Sequence, residues 1–345
     1  MTSTTPVPPA APRTAHPRGA APGTATAPAP GSRRTPRHTP YLFLLPALVL
    51  FLAFFALPIG YALHLSLRRT EIQGLGLGSG ARQEVWAGLT NYTQALTDPE
   101  LTAGALRVLG YGMIVVPVML GLALVFALML DADRVRARAF SRLTIFLPYA
   151  VPGVIAALLW GFLYLPSVSP LHHLLGQLGL PQPDLLSGGP LFLALANIAV
   201  WGGTGFNMIV IYTALRAIPP EIYEAARLDG CSQRQIAFRI KIPMVMPSLV
   251  LTFFFSVIAT LQVFNEPTTL RPLTNSLSTT WSPLMKVYED AFVRGNLHAA
   301  SATAVIIAVV TLVVSFGFLK LVNSRSQWND RPSGRATSRR KKATR

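Results

Sequence analysis

Glu224-Ala225-Ala226-Arg227-Leu228-Asp229-Gly230 begins the stretch EAARLDGCSQRQIAFRIKIP, which ends at Pro243 and lies in a polar loop between two long apolar runs. Upstream, Pro219-Pro220-Glu221 predicts a helix start, because proline is tolerated in the first turn and an acid there complements the positive end of the helix dipole. Gly230 permits positive φ and predicts a stop after Asp229. Ser232, with Gln235 three residues later, forms a capping box for a second short helix. Ile236 and Ile240 fall on one face of it, and Pro243 and Pro247 mark the return to apolar sequence. Two short helices at a sharp angle, with Ala225 and Ala226 small enough for close approach, make either a docking element or an ordinary helical loop. The pattern alone leaves these two readings even.

Outward from this loop the chain is apolar. Of its 345 residues 51% are hydrophobic and only 13% charged, which excludes an ordinary soluble protein. Segments free of Asp, Glu, Lys, Arg and His run from Leu42 to Leu63, Val108 to Leu130, Leu143 to Leu171, Leu191 to Leu215, Pro243 to Asn265 and Ala299 to Leu319. Each can cross roughly 30 Å of hydrocarbon at about 1.5 Å per helical residue. The expectation is an all-α integral membrane protein with six transmembrane helices.

The net charge of +16 raises the possibility of nucleic acid binding, but the placement of the charge argues against it. Most of the 30 Lys and Arg lie in the N-terminal tail, the 131–142 loop, the 216–247 loop and the tail from Lys320, all on one side of the predicted spans. The positive-inside rule then places both termini and the Glu224 loop of this multi-pass protein in the cytoplasm. Membrane lipid is the expected surrounding, and nucleic acid is not an expected partner. Cys231 is the only cysteine, so no intramolecular disulfide can form. The six histidines lack metal-ligand spacing, and no metal is expected. The first apolar run exceeds a signal-peptide core and is followed by no small-x-small cleavage pattern, so it reads as a retained anchor.

Residues 1–40 hold ten prolines and no acid and read as a disordered basic tail. Residues 41–322 form the transmembrane domain, and 323–345 form a second basic tail. The segments 68–104, 166–190 and 266–298 read as caps and linkers. Pro46, Pro58, Pro117, Pro148 and Pro152 predict kinks in the spans. No ionisable residue lies near the centre of a span, which weakens a proton- or sodium-coupled carrier. Arg107, Glu266 and His298 sit at span edges, where snorkelling suffices to explain them, and Trp160 and Tyr164 read as interfacial belt residues.

The loop resembles the EAA loop of the membrane subunits of bacterial ATP-binding-cassette importers, whose pattern is Glu-Ala-Ala, Asp-Gly-Ala and Ile-x-Leu-Pro. Here Cys231 replaces an alanine and Ile242 a leucine. The stretches FLPYAVPGVIAALLW (146–160), GFNMIVIYTALRAIPPEIYEAA (205–226) and FNEPTTLRPLT (264–274) are similar to carbohydrate permeases of the maltose and glycerol-phosphate type. The resemblance, over roughly 42–322, implies a type I ABC importer permease fold with cytoplasmic coupling helices, in the bacterial plasma membrane. It implies that Glu224, Ala225, Ala226, Asp229, Gly230, Ile240 and Pro243 engage a separate ATPase, with Glu224 as the polar contact and Gly230 setting the turn.

The partners so implied are a second permease subunit in a heterodimer, two ATPase subunits and an extracytoplasmic solute-binding protein. The subunit itself would be no enzyme and would hold no cofactor, since ATP binds the partner; consistently, the chain contains no Gly-Lys dipeptide and hence no GxxxxGK[ST] phosphate loop. The family places solute contacts in the helices flanking the loop. There Trp201 and Phe206 could stack on a sugar ring, and Asn207, Thr260, Gln262 and Asn265 could hydrogen-bond its hydroxyls. The same residue types also bridge membrane helices. Absence of a buried cation favours a neutral mono- or oligosaccharide. Glycerol phosphate or another small solute on the same architecture, an ATP-independent channel or carrier, and a basic-tailed membrane anchor are the alternatives.

Overall fold

The computed structural model describes residues 39–72, 82–132 and 135–329. Nearly all of the predicted 1–40 tail, and 330–345 of the C-terminal one, lie outside the described residues. The chain divides into two compact units, Met1–Phe55 and Ala56–Arg345. The first contains α1 (Thr39–Phe51), with Pro46 inside it and a stacked Phe51–Phe55 ring pair after it in a π-turn.

The second unit holds α2 (Leu57–Ser66), a two-stranded antiparallel hairpin of β1 (Arg68–Ile72) and β2 (Arg82–Trp86), and α3 (Thr90–Thr97). Next come α4 (Pro99–Asp131), α5 (Arg138–Phe146), α6 (Gly153–Tyr164), α7 (Pro170–Gln177) and α8 (Gly188–Arg216). The loop supplies α9 (Pro220–Leu228) and α10 (Gln233–Ile236), followed by α11 (Ile242–Leu261), α12 (Asn265–Leu270), α13 (Pro283–Tyr288) and α14 (Leu297–Asn329). Among the described residues, 41–66, 99–131, 188–216, 233–261 and 297–320 are long and apolar enough to cross a membrane.

The third predicted span differs. Residues 138–150 and 153–164 form a pair bent by 95°, so Leu143–Leu171 is a broken segment and its last residues belong to α7. Pro148 and Pro152 cause the break: each removes a backbone donor, and Pro152 adopts ψ 134°, off the helical path. The hairpin β1–β2 lies within the stretch expected to be a plain cap. His298, read as a snorkelling edge residue, is buried there instead, its ring nitrogens 3.2 Å from Thr70 Oγ1 and 3.1 Å from the Leu65 carbonyl oxygen.

α4 and α8 form the central pair. Ala123 and Ala127 are fully buried against Met208 and Ile211, small residues letting two helix backbones approach closely. α8 also meets the C-terminal end of α5: a Cβ on Gly205 would stand 2.3 Å from the Ile145 carbonyl oxygen and 2.7 Å from Phe146 Cα. Tyr164, expected at the interface, is buried, donates to the Ala194 carbonyl at 3.0 Å and accepts from Asn197 Nδ2 at 2.9 Å.

At the end of the bundle opposite the 216–242 loop an ionic latch closes the structure. The side chain of Lys286 on α13, 4% exposed, reaches Asp98 at 2.8 Å, Asp290 at 3.1 Å and Glu100 at 3.4 Å. Arg294 adds contacts to Glu100 at 3.1 Å and Asp290 at 3.2 Å. Asp98 also caps α4, accepting from the Glu100 backbone N–H at 2.7 Å. Burial alone would lower the Lys286 ammonium, but bonds to Asp98 and Asp290 outweigh it and hold it above the ordinary lysine value. Burial likewise opposes ionisation of Asp98, and the Lys286 and backbone hydrogen bonds reverse that, holding its carboxyl below the ordinary 3.8.

Candidate functional site

α9 begins at Pro220 with Glu221 in its first turn, as the proline pair dictates. It ends in a Schellman-type stop: Cys231 N–H donates to the Ala226 carbonyl and Gly230 N–H to that of Arg227, both at 3.0 Å, with Gly230 at φ +76°. A Cβ at Gly230 would meet nothing within 4 Å, so the demand for glycine is conformational and not steric. The Ser232–Gln235 capping box is formed in both directions, Gln235 N–H to Ser232 Oγ at 3.3 Å and Ser232 N–H to Gln235 Oε1 at 2.7 Å. The expectation of a separate second helix is corrected, because 233–261 is one continuous helix carrying a π-turn at Ala237–Lys241. That turn absorbs the missing donor of Pro243, which lies in the first turn of α11, and Pro247 lies inside the same rod.

Glu224, Ala225, Asp229 and Gly230 are exposed on this elbow, whereas Ala226 is buried beneath it and Ile240 is half-buried. Leu228 at the tip is 90% exposed, the most exposed of the large apolar side chains described, and Phe238 is 71% exposed. Neither carried a signal in the sequence, since a single leucine or phenylalanine looks the same inside or outside a helix. Beneath the elbow Lys241 Nζ lies 5.1 Å from the Tyr223 ring centroid. Burial, with the Asp131 charge adding to it, pushes the Tyr223 phenol up.

A cavity of about 600 Å³ lies among α4, α8, α11 and the bend after α5. Phe206, Asn207, Thr260, Gln262 and Asn265 line it; Trp201 does not, its ring instead standing edge-on to Trp160 with centroids 5.8 Å apart. Asn207 Nδ2 donates to the Gly203 carbonyl at 3.0 Å and Thr260 Oγ1 to that of Ser256 at 2.7 Å, so part of their capacity serves their own helices. Gln262 and Asn265 are exposed. Tyr149, Ser256 and Glu266 also line the cavity, and Tyr149 stacks on Phe206 with centroids 5.0 Å apart. Tyr149 was obscured because it sits in the proline-broken segment. Glu266, taken for a snorkelling residue, faces inward, and burial raises its carboxyl above the ordinary 4.5 despite a backbone hydrogen bond that opposes this. Among the described lining residues there is no Lys, Arg or His. The cavity thus presents aromatic faces, amides and hydroxyls, the groups that recognise polyhydroxylated solutes.

Residues 120–327, which include the elbow and the cavity lining from Pro148 onward, match the family described as the binding-protein-dependent transport system inner membrane component. The chain belongs to this family. It is therefore a membrane permease of a binding-protein-dependent ABC importer, with a helical, type I permease fold. The permease is 29% identical over 290 residues to the sn-glycerol-3-phosphate transport system permease protein UgpA of Agrobacterium fabrum, covering 83% of this chain and 95% of that protein. It is 30% identical over 290 residues to the probable ABC transporter permease protein YurN of Bacillus subtilis, covering 81% and 94%. Among solved structures, a bacterial ABC transporter involved in import of the acidic polysaccharide alginate shares its fold, with a TM-score of 0.70 and 20% identity over 83% of this permease and 95% of that chain.

Proposed function

We propose that this permease forms half of the pathway of an ATP-driven importer for a neutral mono- or oligosaccharide, and that a separate ATPase drives it through the elbow beginning at Glu224. The observation that carries the solute class is the cavity lining, where aromatic rings, amides and hydroxyls meet a single acid and, among the described lining residues, no cation. A phosphate or carboxylate taken from water into such a space would lack a counter-charge. Glycerol phosphate remains the second reading, because relatives at about the same identity carry that name.

The coupling residues proposed are Glu224, Ala225, Ala226, Asp229, Gly230, Ile240 and Pro243, with Leu228 added as an apolar anchor for the ATPase cleft. The proposed partners are two ATPase subunits, a second permease and an external binding protein. The basic flanks support cytoplasmic termini and a cytoplasmic elbow. The permease would hydrolyse no ATP and need no cofactor of its own.

The deciding experiment reconstitutes the full transporter and compares uptake of radiolabelled maltose with that of glycerol phosphate; preference for the phosphate would sink the neutral-solute reading. Within the cavity Asn265→Ala should slow sugar uptake by about three- to tenfold, the worth of one hydrogen bond, without releasing the ATPase. At the elbow Leu228→Glu and Glu224→Lys should abolish co-purification of the ATPase while the permease still inserts. Retained ATPase binding in both would count against the docking role.

A further inference from the structure

Asp131 ends α4, and its side chain is 5% exposed. Its Oδ2 accepts a hydrogen bond from Lys241 Nζ at 2.5 Å, and its Oδ1 faces Arg216 Nη1 at 3.9 Å. Lys241 immediately precedes α11, and Arg216 is the last residue of α8. One buried carboxylate therefore gathers the loop-side ends of all three long helices that line the large cavity: α4 through Tyr111 and Met119, α8 through Asn207, and α11 through Thr260. Lys241 also covers the ring of Tyr223 on α9, joining the same cluster to the elbow.

Just inside these ends Leu130, Leu215 and Val245 of the three helices share one buried apolar cluster, but the ends are not packed solid against the elbow. A second cavity of about 230 Å³ opens between α9 and the helix ends, lined by Asp131, Arg216, Tyr223, Glu224 and Lys241 among others. Side chains reaching across that space make the connection. α11 is continuous with the loop, whereas α4 reaches the elbow through these side chains.

We propose that Asp131 is the positioning residue that makes α4 follow α11 and α8 when the elbow is displaced, so that the cavity walls move as one body. The proposal rests on the reading that an ATPase moves the elbow. Without the carboxylate α11 still moves with the loop, but α4 lags. A carboxylate suits this role because it can hold two cations on separate oxygens while the helices pivot, which neutral packing at one point does not allow.

The test uses the full transporter with spin labels at Val118 on α4 and Leu251 on α11, both well exposed. Their distance is measured by electron resonance in the nucleotide-free and vanadate-trapped states. The wild type is expected to give the same distance in both states. Asp131→Asn should match the wild type without nucleotide and depart from it by 2 Å or more on trapping, on the order of the shifts seen in helix rearrangements. Asp131→Glu, which keeps a carboxylate for both cations, should restore the common distance. If Asp131→Asn does not insert, Lys241→Gln takes its place in the same comparison. Equal distances in the two states for the variant, or an equal offset in both, overturn the proposal, since a purely structural residue would alter both states alike. If Leu228→Glu leaves the ATPase bound and uptake intact, the elbow reading itself fails. If Leu228→Glu releases the ATPase while Asp131→Asn behaves as wild type, only the assignment of Asp131 fails.

Discussion

Lys286→Met is expected to destabilise the protein by about 3 kcal/mol, at the lower end of the range for breaking a buried ion cluster. The ammonium is 4% exposed and faces Asp290, itself 7% exposed, so methionine would leave that carboxylate with the half-exposed Arg294 as its one remaining cation. The loss stays at the lower end because Asp98 is 28% and Glu100 40% exposed and water can take over part of their solvation. In detergent the thermal midpoint should fall by about 4–5 °C.

The pH dependence has a defined sign. Asp98 is held below 3.8, so its contribution is present above that value and lost as pH falls through the lower folded value. Lys286 is held above 10.5, so its contribution is present below that value and lost only as pH rises through the higher folded one. The difference between wild type and Lys286→Met should therefore be constant from about pH 5 to 9 and shrink below about pH 4. A variant as stable as wild type at pH 7 would show that the cluster contributes nothing.

Gly205→Ala is the second large effect. The added carbon would lie 2.3 Å from a carbonyl oxygen and 2.7 Å from a Cα, and neither can rotate away as a side chain would. Either α8 or the end of α5 at Ile145–Phe146 must shift, which typically costs about 1–3 kcal/mol. Because Phe206 and Asn207 follow directly on α8 and Pro148 and Tyr149 on the other side, the shift would also distort the cavity wall. The expectation is a lower thermal midpoint together with reduced uptake, while Gly202→Ala, whose new carbon would meet nothing within 4 Å, leaves the midpoint unchanged. Equal behaviour of the two variants would contradict the packing argument.

The elbow was legible because its determinants are local. Proline at the first turn, glycine at the stop and a serine with glutamine three residues on act over a few positions, and the structure forms each of them. The apolar runs were legible for a similar reason, since charge-free length decides what can cross hydrocarbon. The 95° break was not, although both prolines were noted, because a missing donor states that a helix weakens but not how far it turns. The hairpin pairs Arg68 with Trp86, and its strand sequences RRTEI and RQEVW offered no hydrophobic alternation. In the cavity the amides could be named, but the partner of each ring could not: Trp201 chose Trp160, and Phe206 found Tyr149, 57 positions away in sequence. The clamp at Asp131 was invisible for the same reason, its lysine lying 110 positions downstream.

The continuity of residues 233–261 sets a mechanical scale. At about 1.5 Å per residue, Thr260 stands about 40 Å along the rod from Gln233. Tilting such a rod by about five degrees about its Gln233 end sweeps Thr260 sideways by about 3.5 Å, roughly one hydroxyl diameter. Because α4 and α8 would swing with that rod if Asp131 ties them together, a rotation of a few degrees at the elbow becomes a displacement of a whole cavity wall by more than the length of a hydrogen bond.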